Sequence, residues 1–184
     1  MSELDEAWAA ALAEAEQKAR LAGRGDIVEY ISLRNSNDLL RQAGVEWLLK
    51  TFTAWAGEAN RQGASLKTST SQNHRFRVGN SSMVGSLLTL TNGVRTLYVE
   101  AGWPRTPRDG VVRGGGLACC CIRHLGIKAA REELLLIKTS GGVPSWSLTV
   151  ELRQLGVFHE SDVRRHLNLL LDHPTAETQR APRF

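Results

Sequence analysis

Basic side chains dominate the middle of the chain. Residues 61–131 contain eleven Lys or Arg against only two acidic residues, Glu100 and Asp109, whereas the segments on either side are both net acidic. Like charges at this density repel one another unless an anion or an acidic surface lies against them. The pattern therefore predicts an anionic partner, with nucleic acid and an acidic protein surface as the main candidates.

The first candidate site is the loop that follows Trp103. Arginine guanidinium groups bind phosphate or carboxylate through two parallel N–H bonds. If a helix begins near Leu117, backbone N–H groups would converge on an anion just before it. Neither established glycine-rich phosphate motif is present, so a flexible loop with solvated arginines is the alternative. The loop supplies Arg105, Arg108, Arg113, Gly114, Gly115 and Gly116.

The same loop also suits a small-molecule site, enzymatic or sensory, for a phosphorylated or carboxylated ligand. Glu100 and His74 would lie at its edge as possible acid or base groups. Arginines around Glu100 would hold it ionised, however, which suits an ion pair better than a proton shuttle.

The second candidate site is a polar face of the predicted sheet. A basic sheet with an exposed aromatic ring binds single-stranded nucleic acid through phosphate attraction and base stacking. Tyr98 is the main stacking candidate, with Trp103 nearby, and an ordinary solvated face is the alternative. The face is predicted to carry His74, Arg75, Arg77, Arg95 and Tyr98.

Cysteine and histidine positions give little support for catalysis. On a helix, Cys120 and His124 would form a thiol–imidazole pair, although a buried cysteine usually acts as a small apolar side chain. His159, His166 and His173 recur every seven residues, about 10 Å per step on a helix, too far apart for one metal. We predict no metal site, no cofactor and no catalytic residue, which favours a non-enzymatic binding module.

Helical periodicity is found near both ends of the chain. Residues 3–22, 37–61 and 161–171 place apolar side chains three and four positions apart. Residues 26–33 are ambiguous and favour helical or irregular structure over a strand. The polar composition after Pro174 predicts a disordered tail over residues 174–184.

Between the helices the apolar period is two, as in strands. Asn92-Gly93 predicts a two-residue hairpin turn between strands 83–91 and 94–101, with Thr91 opposite Val94. Residues 74–78, 134–138 and 146–151 are further predicted strands. Residues 117–125 read as a helix, with a strand as the competing interpretation. The hairpin side chains assigned to the core are Leu88, Leu90, Leu97 and Val99.

These elements predict an α+β fold with N-terminal helices, an antiparallel sheet with an inserted helix, and a C-terminal helix. One domain is expected over residues 1–173, with a helical part at 1–62, a sheet-rich part at 63–151 and a closing helix at 160–172. No apolar run is long enough for a membrane helix, and no secretory signal is visible. We therefore expect a cytoplasmic protein with no membrane partner. An alternative is that the acidic helix at 3–22 covers the basic block, within one chain or in a homodimer.

Overall fold

The computed structural model describes residues 3–150 and 153–171, so the predicted tail at 174–184 lies outside the described residues. Two 3₁₀ turns, Pro107–Asp109 and Arg113–Gly115, lie in the connection between the third and fourth strands. The described helices and strands are, in chain order, α1 (Glu3–Leu21), α2 (Gly25–Arg61), β1 (Lys67–Val78), β2 (Ser81–Asn92), β3 (Arg95–Trp103), β4 (Ala118–His124), β5 (Ile127–Lys138), β6 (Pro144–Val150), β7 (Arg153–Val157) and α3 (Glu160–Leu171).

The seven strands form one antiparallel sheet in which each strand pairs with its neighbours in the sequence, β1 to β7. Side chains alternate between the two faces of such a sheet. Both α2 and α3 pack on one face, called here the helix side, and the opposite face is called the open face. Helices at both ends of the chain and an antiparallel sheet between them confirm the predicted α+β fold.

The main core lies between the helices and the helix side of the sheet. The four hairpin side chains that the sequence assigns to the core are completely buried there. A smaller apolar cluster on the open face contains Phe76, Met83 and Leu135. The helices contribute Val45, Leu48, Phe52 and Ala56 from α2 and Val163, Leu167 and Leu170 from α3 to the main core.

Helix α2 is continuous over 37 residues and includes the ambiguous segment 26–33. Its close approach to the sheet depends on Gly44, where an added Cβ would lie 2.6 Å from Leu136 Cδ2 on β5. The carbonyl oxygen of Gly44 also accepts a hydrogen bond of 2.9 Å from Trp146 Nε1 on β6. A small residue at this position therefore lets α2 pack directly against the central strands.

The β2–β3 hairpin forms where the sequence predicts it, but the predicted register is wrong by two residues. Thr91 pairs with Thr96 rather than Val94, and the loop is Gly93–Val94. Gly93 has a φ of 57°, as the first loop residue of a type II′ turn requires. Because the shift is an even number of residues, every side chain stays on its predicted face.

The inserted helix predicted at residues 117–125 is wrong, since Ala118–His124 is strand β4. This strand lies between β3 and β5, and nearly all of its side chains are buried on both faces. A strand covered on both sides has a continuous apolar run, which periodicity alone does not distinguish from a buried helix. The sequence also gave no indication of strand β7.

Candidate functional site

The connection between β3 and β4 is a structured loop that folds over one end of the sheet. Ser81 Oγ, at the start of β2, donates to the carbonyl of Val111 at 2.9 Å. The Asp109 carboxylate accepts bonds of 2.9 Å from both the amide and the hydroxyl of Thr106. Those bonds, together with Arg75 at 3.2 Å, hold the pKa of Asp109 below its usual value. The loop is therefore anchored to the strands beneath it.

This loop brings arginines from distant parts of the chain to the same end of the sheet. Arg75 on β1 pairs with Asp109 in the loop. The Arg113 guanidinium lies beside Gly79 in the β1–β2 turn, 3.3 Å from where a Cβ would be. Arg41 Nε donates to the carbonyl of Leu117 at 2.8 Å. The resulting group, called here the basic rim, consists of Arg34, Arg41, Arg75, Arg105 and Arg113, with Arg77 two residues further along β1 and Arg108 in the Pro107–Asp109 turn.

Three of the rim arginines, Arg34, Arg41 and Arg105, line a hollow of about 280 Å³ between α2 and the loop. Arg41 is fixed there by an ion pair of 2.6 Å with Asp38. The guanidinium carbon of Arg105 lies 3.8 Å from the centroid of the Trp103 ring. The hollow therefore has cationic walls held in place by packing and hydrogen bonds.

Among the described side chains, positive charge exceeds negative charge at the rim. Asp38 and Asp109 pair with rim arginines. Arg77, Arg108 and Arg113 are exposed, and no carboxylate among the described side chains lies within ion-pair distance of them. Several helix carboxylates pair instead with cations on their own helix, so they do not neutralise the rim: Glu14, Glu16, Glu46 and Glu58.

The helix N-terminus predicted after the three glycines is not present, because a strand begins there. The amide of Leu117 donates to the carbonyl of Leu136 at 2.7 Å, in the manner of a sheet. Gly116 packs against Leu135, where a Cβ would clash. Gly114 and Gly115 lie in the 3₁₀ turn, with φ values of 73° and 72°. The glycines therefore shape the loop, and the predicted convergence of backbone N–H groups on an anion does not form.

The predicted polar sheet face is also wrong, because its members lie on two faces. His74 and Tyr98 are on the open face. Arg75 and Arg77 alternate with Phe76, which belongs to the open-face cluster, so they are on the helix side. Arg95 Nη1 donates to the carbonyl of Leu169 in α3 at 3.1 Å.

Neither proposed stacking ring offers an uncovered platform. The Arg123 guanidinium carbon lies 4.3 Å from the centroid of the Tyr98 ring. Trp103 is only 4% exposed and lies under Arg105. Both rings therefore already make cation–π contacts, and the geometry favours phosphate contacts over base stacking.

The two acid or base candidates of the sequence come together on the open face. Glu100 Oε1 lies 2.7 Å from His74 Nε2, and Glu100 Oε2 accepts a bond of 3.1 Å from Arg123 Nε. Burial acts to raise the pKa of Glu100, but the bonds from Arg123 and His74 outweigh burial and lower it. The group is an ion-pair cluster in which Nε2 of His74 is already occupied. The sequence analysis did not include Arg123 in this site. Arg123 reaches it because β4 is a strand in which Arg123 lies directly opposite Tyr98 of β3.

Cys120 and His124 do not form the thiol–imidazole pair that a helix would allow, because residues 118–124 are a strand. Cys120 is completely buried, and burial raises its pKa well above the usual value. His124 instead contacts His166 in α3, with 3.1 Å between Nε2 and Nδ1, and His166 Nε2 lies 3.1 Å from Glu132 Oε2. Within residues 3–150 and 153–171, no three His, Cys, Asp or Glu side chains are placed to hold a metal ion. His173 lies outside the described residues.

Comparison of the chain with protein families, curated proteins and solved structures finds no match. None of the helices in the described part of the chain combines the length and apolar character needed to cross a membrane. The geometry of the site is therefore the basis for a functional proposal.

Proposed function

We propose that the protein is a binding module that holds the phosphate backbone of a nucleic acid against the basic rim. The observation that carries this proposal is the gathering of arginines from α2, β1 and the β3–β4 loop at one end of the sheet, where Arg77, Arg108 and Arg113 are exposed and no carboxylate of the described residues pairs with them. The β3–β4 loop is folded to bring them together, although their mutual repulsion opposes that arrangement. A polyanion against the rim relieves the repulsion.

Three exposed rim arginines suit phosphate contacts. Arg77, Arg108 and Arg113 come from a strand and from two positions of the loop, so they present several separate cations to one partner. A guanidinium binds a phosphate through two parallel hydrogen bonds. Affinity would come mainly from the release of counterions, with little dependence on base sequence, because the nearby aromatic rings are covered.

The test of this proposal is fluorescence anisotropy with labelled single- and double-stranded DNA and RNA, at salt concentrations from about 50 to 200 mM, where a binder of several phosphates loses orders of magnitude in affinity. We expect binding that weakens steeply with salt, and the comparison of the four ligands identifies the preferred form. Poly-glutamate serves as a competitor, and its displacement of every oligonucleotide at low concentration would favour an acidic protein surface instead. No binding at low salt would overturn the proposal.

A second candidate function is a site for a small phosphorylated or carboxylated ligand. The observation that favours it is the hollow of about 280 Å³ lined by Arg34, Arg41 and Arg105, since ligand sites are concave whereas nucleic-acid surfaces are open. A rise in melting temperature with a sugar phosphate, together with no binding of any oligonucleotide, would select this second function.

A further inference from the structure

A long groove runs between α2 and the first three strands of the sheet. Its volume is about 840 Å³, within the size range of ligand sites. On α2 its lining residues extend along one helical face from Gln42 to Ala54, which at 1.5 Å per residue is about 18 Å. The groove is therefore long enough for an extended ligand.

The outer wall of the groove is the edge strand β1, and no strand in the described part of the chain pairs with its outer side. Every residue from Lys67 to Asn73 is exposed. This includes Thr68, Thr70 and Gln72, which lie on the helix side, where the other strands are covered by α2 and α3. The backbone groups on the outer side of this segment are therefore accessible to a partner.

The first part of β1, from Thr68 to Ser71, lacks the features that usually prevent an edge strand from pairing with another chain. Protein edge strands are commonly short, or carry prolines, bulges or inward-pointing charges. β1 is 12 residues long, and the stretch TSTSQN after Lys67 has no proline and no charge. Its irregularity, between Ser71 and His74, comes after a regular segment from Lys67 to Ser71.

The groove has both apolar and polar lining residues. Val45 and Leu49 of α2, with Trp103 of β3, supply the apolar lining, and the Glu46–Lys50 ion pair lies on the same stretch of α2. Polar groups line the sheet side, where Ser86 Oγ donates to Gln72 Oε1 at 2.7 Å. Arg105 lies at one end, next to Trp103, and its charge favours an acidic group there.

We propose that β1 and α2 form a docking site for an extended peptide that adds a strand to the edge of the sheet. The backbone of the peptide would pair with β1, and every second side chain would enter the groove. These inward side chains are expected to be apolar, with an acidic residue toward Arg105. A groove of about 18 Å accommodates five or six residues at about 3.4 Å each.

The site can be tested on the full chain with a phage-displayed library of random heptapeptides. Enriched peptides are synthesised with a fluorescent label, and their affinities are measured by anisotropy for the wild type, Thr70→Lys and Ser69→Lys. Thr70 lines the groove, whereas Ser69 points to the open face, and both are exposed. The two variants therefore differ in the face that carries the new lysine, and melting curves verify that each folds.

We expect enriched peptides with apolar residues at alternate positions. Thr70→Lys should weaken their binding at least about tenfold, whereas Ser69→Lys should change it by less than about twofold. Amide hydrogen exchange at Lys67–Ser71 should slow when peptide is bound. The proposal would be overturned if no peptide were enriched, or if both variants lost affinity equally. It would also be overturned if the slowed amide exchange were confined to other strands, or if β1 were protected by self-association without peptide.

Discussion

His74 and Glu100 are in contact across the open face of the sheet, with 2.7 Å between Nε2 and Oε1, although 26 residues separate them in the sequence. The irregularity at Asn73, which has a φ of 57°, sets His74 opposite Gly85. A Cβ at Gly85 would clash with the carbonyl of Ala101. The bulge therefore places the imidazole on the same face as the carboxylate, and Gly85 allows β2 to lie close to the backbone of β3.

Glu100→Gln should destabilise the protein by about 1–3 kcal/mol, because it removes a charged acceptor from two partly buried donors, His74 and Arg123. The pKa of Glu100 is below its usual value, so the stabilisation is present above about pH 4.5 and is lost as the pH falls through the folded-state pKa. Urea unfolding at pH 7 measures the effect. Glu133→Gln is the control, since the Arg131–Glu133 pair is half-exposed and should contribute less than about 1 kcal/mol. Equal losses of stability in Glu100→Gln and Glu133→Gln would contradict this prediction.

The buried His124 should make stability depend on pH below neutrality. Burial, and then the charge of His166, lower its pKa to about 4, with Glu132 and Arg165 as further charged neighbours. An unfolded histidine has a pKa near 6.5, so the unfolded chain binds the proton first. Stability should fall between about pH 6.5 and 4, by at most about 1.4 kcal/mol per pH unit.

Urea unfolding at several pH values, for the wild type and His124→Gln, measures this dependence. The variant should show a weaker dependence between about pH 6.5 and 4.5. The pKa of Glu132 is lowered to about 2. Its contribution to stability is therefore lost only as the pH falls below the usual pKa of a glutamate, which lies below this range. Exposed His159 provides the control, and His159→Gln should behave as the wild type. An unchanged slope in His124→Gln would count against the assignment.

Two glycines of α2 should respond in opposite directions to alanine. Gly44→Ala places a Cβ 2.6 Å from Leu136 Cδ2 in the core, whereas the nearest atom at Gly57 is 3.9 Å away, on the flexible Arg61 side chain. We expect Gly44→Ala to cost about 1–3 kcal/mol through overpacking, although alanine is the better helix former. Gly57→Ala should gain up to about 1 kcal/mol. Thermal unfolding of both variants measures these changes. A gain in stability in both variants would contradict the close packing of α2 on β5.

The three cysteines should not react in the folded protein. All are buried, and burial raises the pKa of Cys119 to about 12. At pH 8 only about one such thiol in ten thousand is a thiolate. A colorimetric thiol reagent should therefore label the native chain very slowly, and all three thiols should react rapidly in denaturant. Rapid labelling of one native thiol would point to a reactive cysteine.

The periodic elements could be predicted from the sequence because their signals are local. Helical spacing located α1, the later part of α2 and α3, and a turn dipeptide located the β2–β3 hairpin. Strand β4 was mistaken for a helix because its run of buried residues has no alternation. The hairpin register depended on whether Asn92 or Gly93 begins the turn, and the dipeptide does not decide this.

The candidate site was harder to predict because its parts come from distant segments. The concentration of arginines was visible in the sequence, but their division between the two faces depends on the bulge near Asn73 and on the β3–β4 loop. Arg34 and Arg41 lie in a net acidic segment of the sequence, and only the folding of α2 places them beside Arg105. The groove beside β1 could not be read from any periodicity, since it results from how far the helix layer extends over the sheet.

The central claim is that the basic rim binds phosphates, and the most direct test is the salt dependence of nucleic-acid affinity in two matched variants. Arg77→Ala/Arg108→Ala removes two exposed charges from the rim, and Lys67→Ala/Lys128→Ala removes two exposed charges from the opposite end of the sheet. The rim variant should lower the slope of log affinity against log salt by about two, since each lost phosphate contact reduces it by about one. The control variant should keep the wild-type slope. Equal slopes for the two variants, whether both unchanged or both reduced, would contradict the assignment of phosphate binding to the rim.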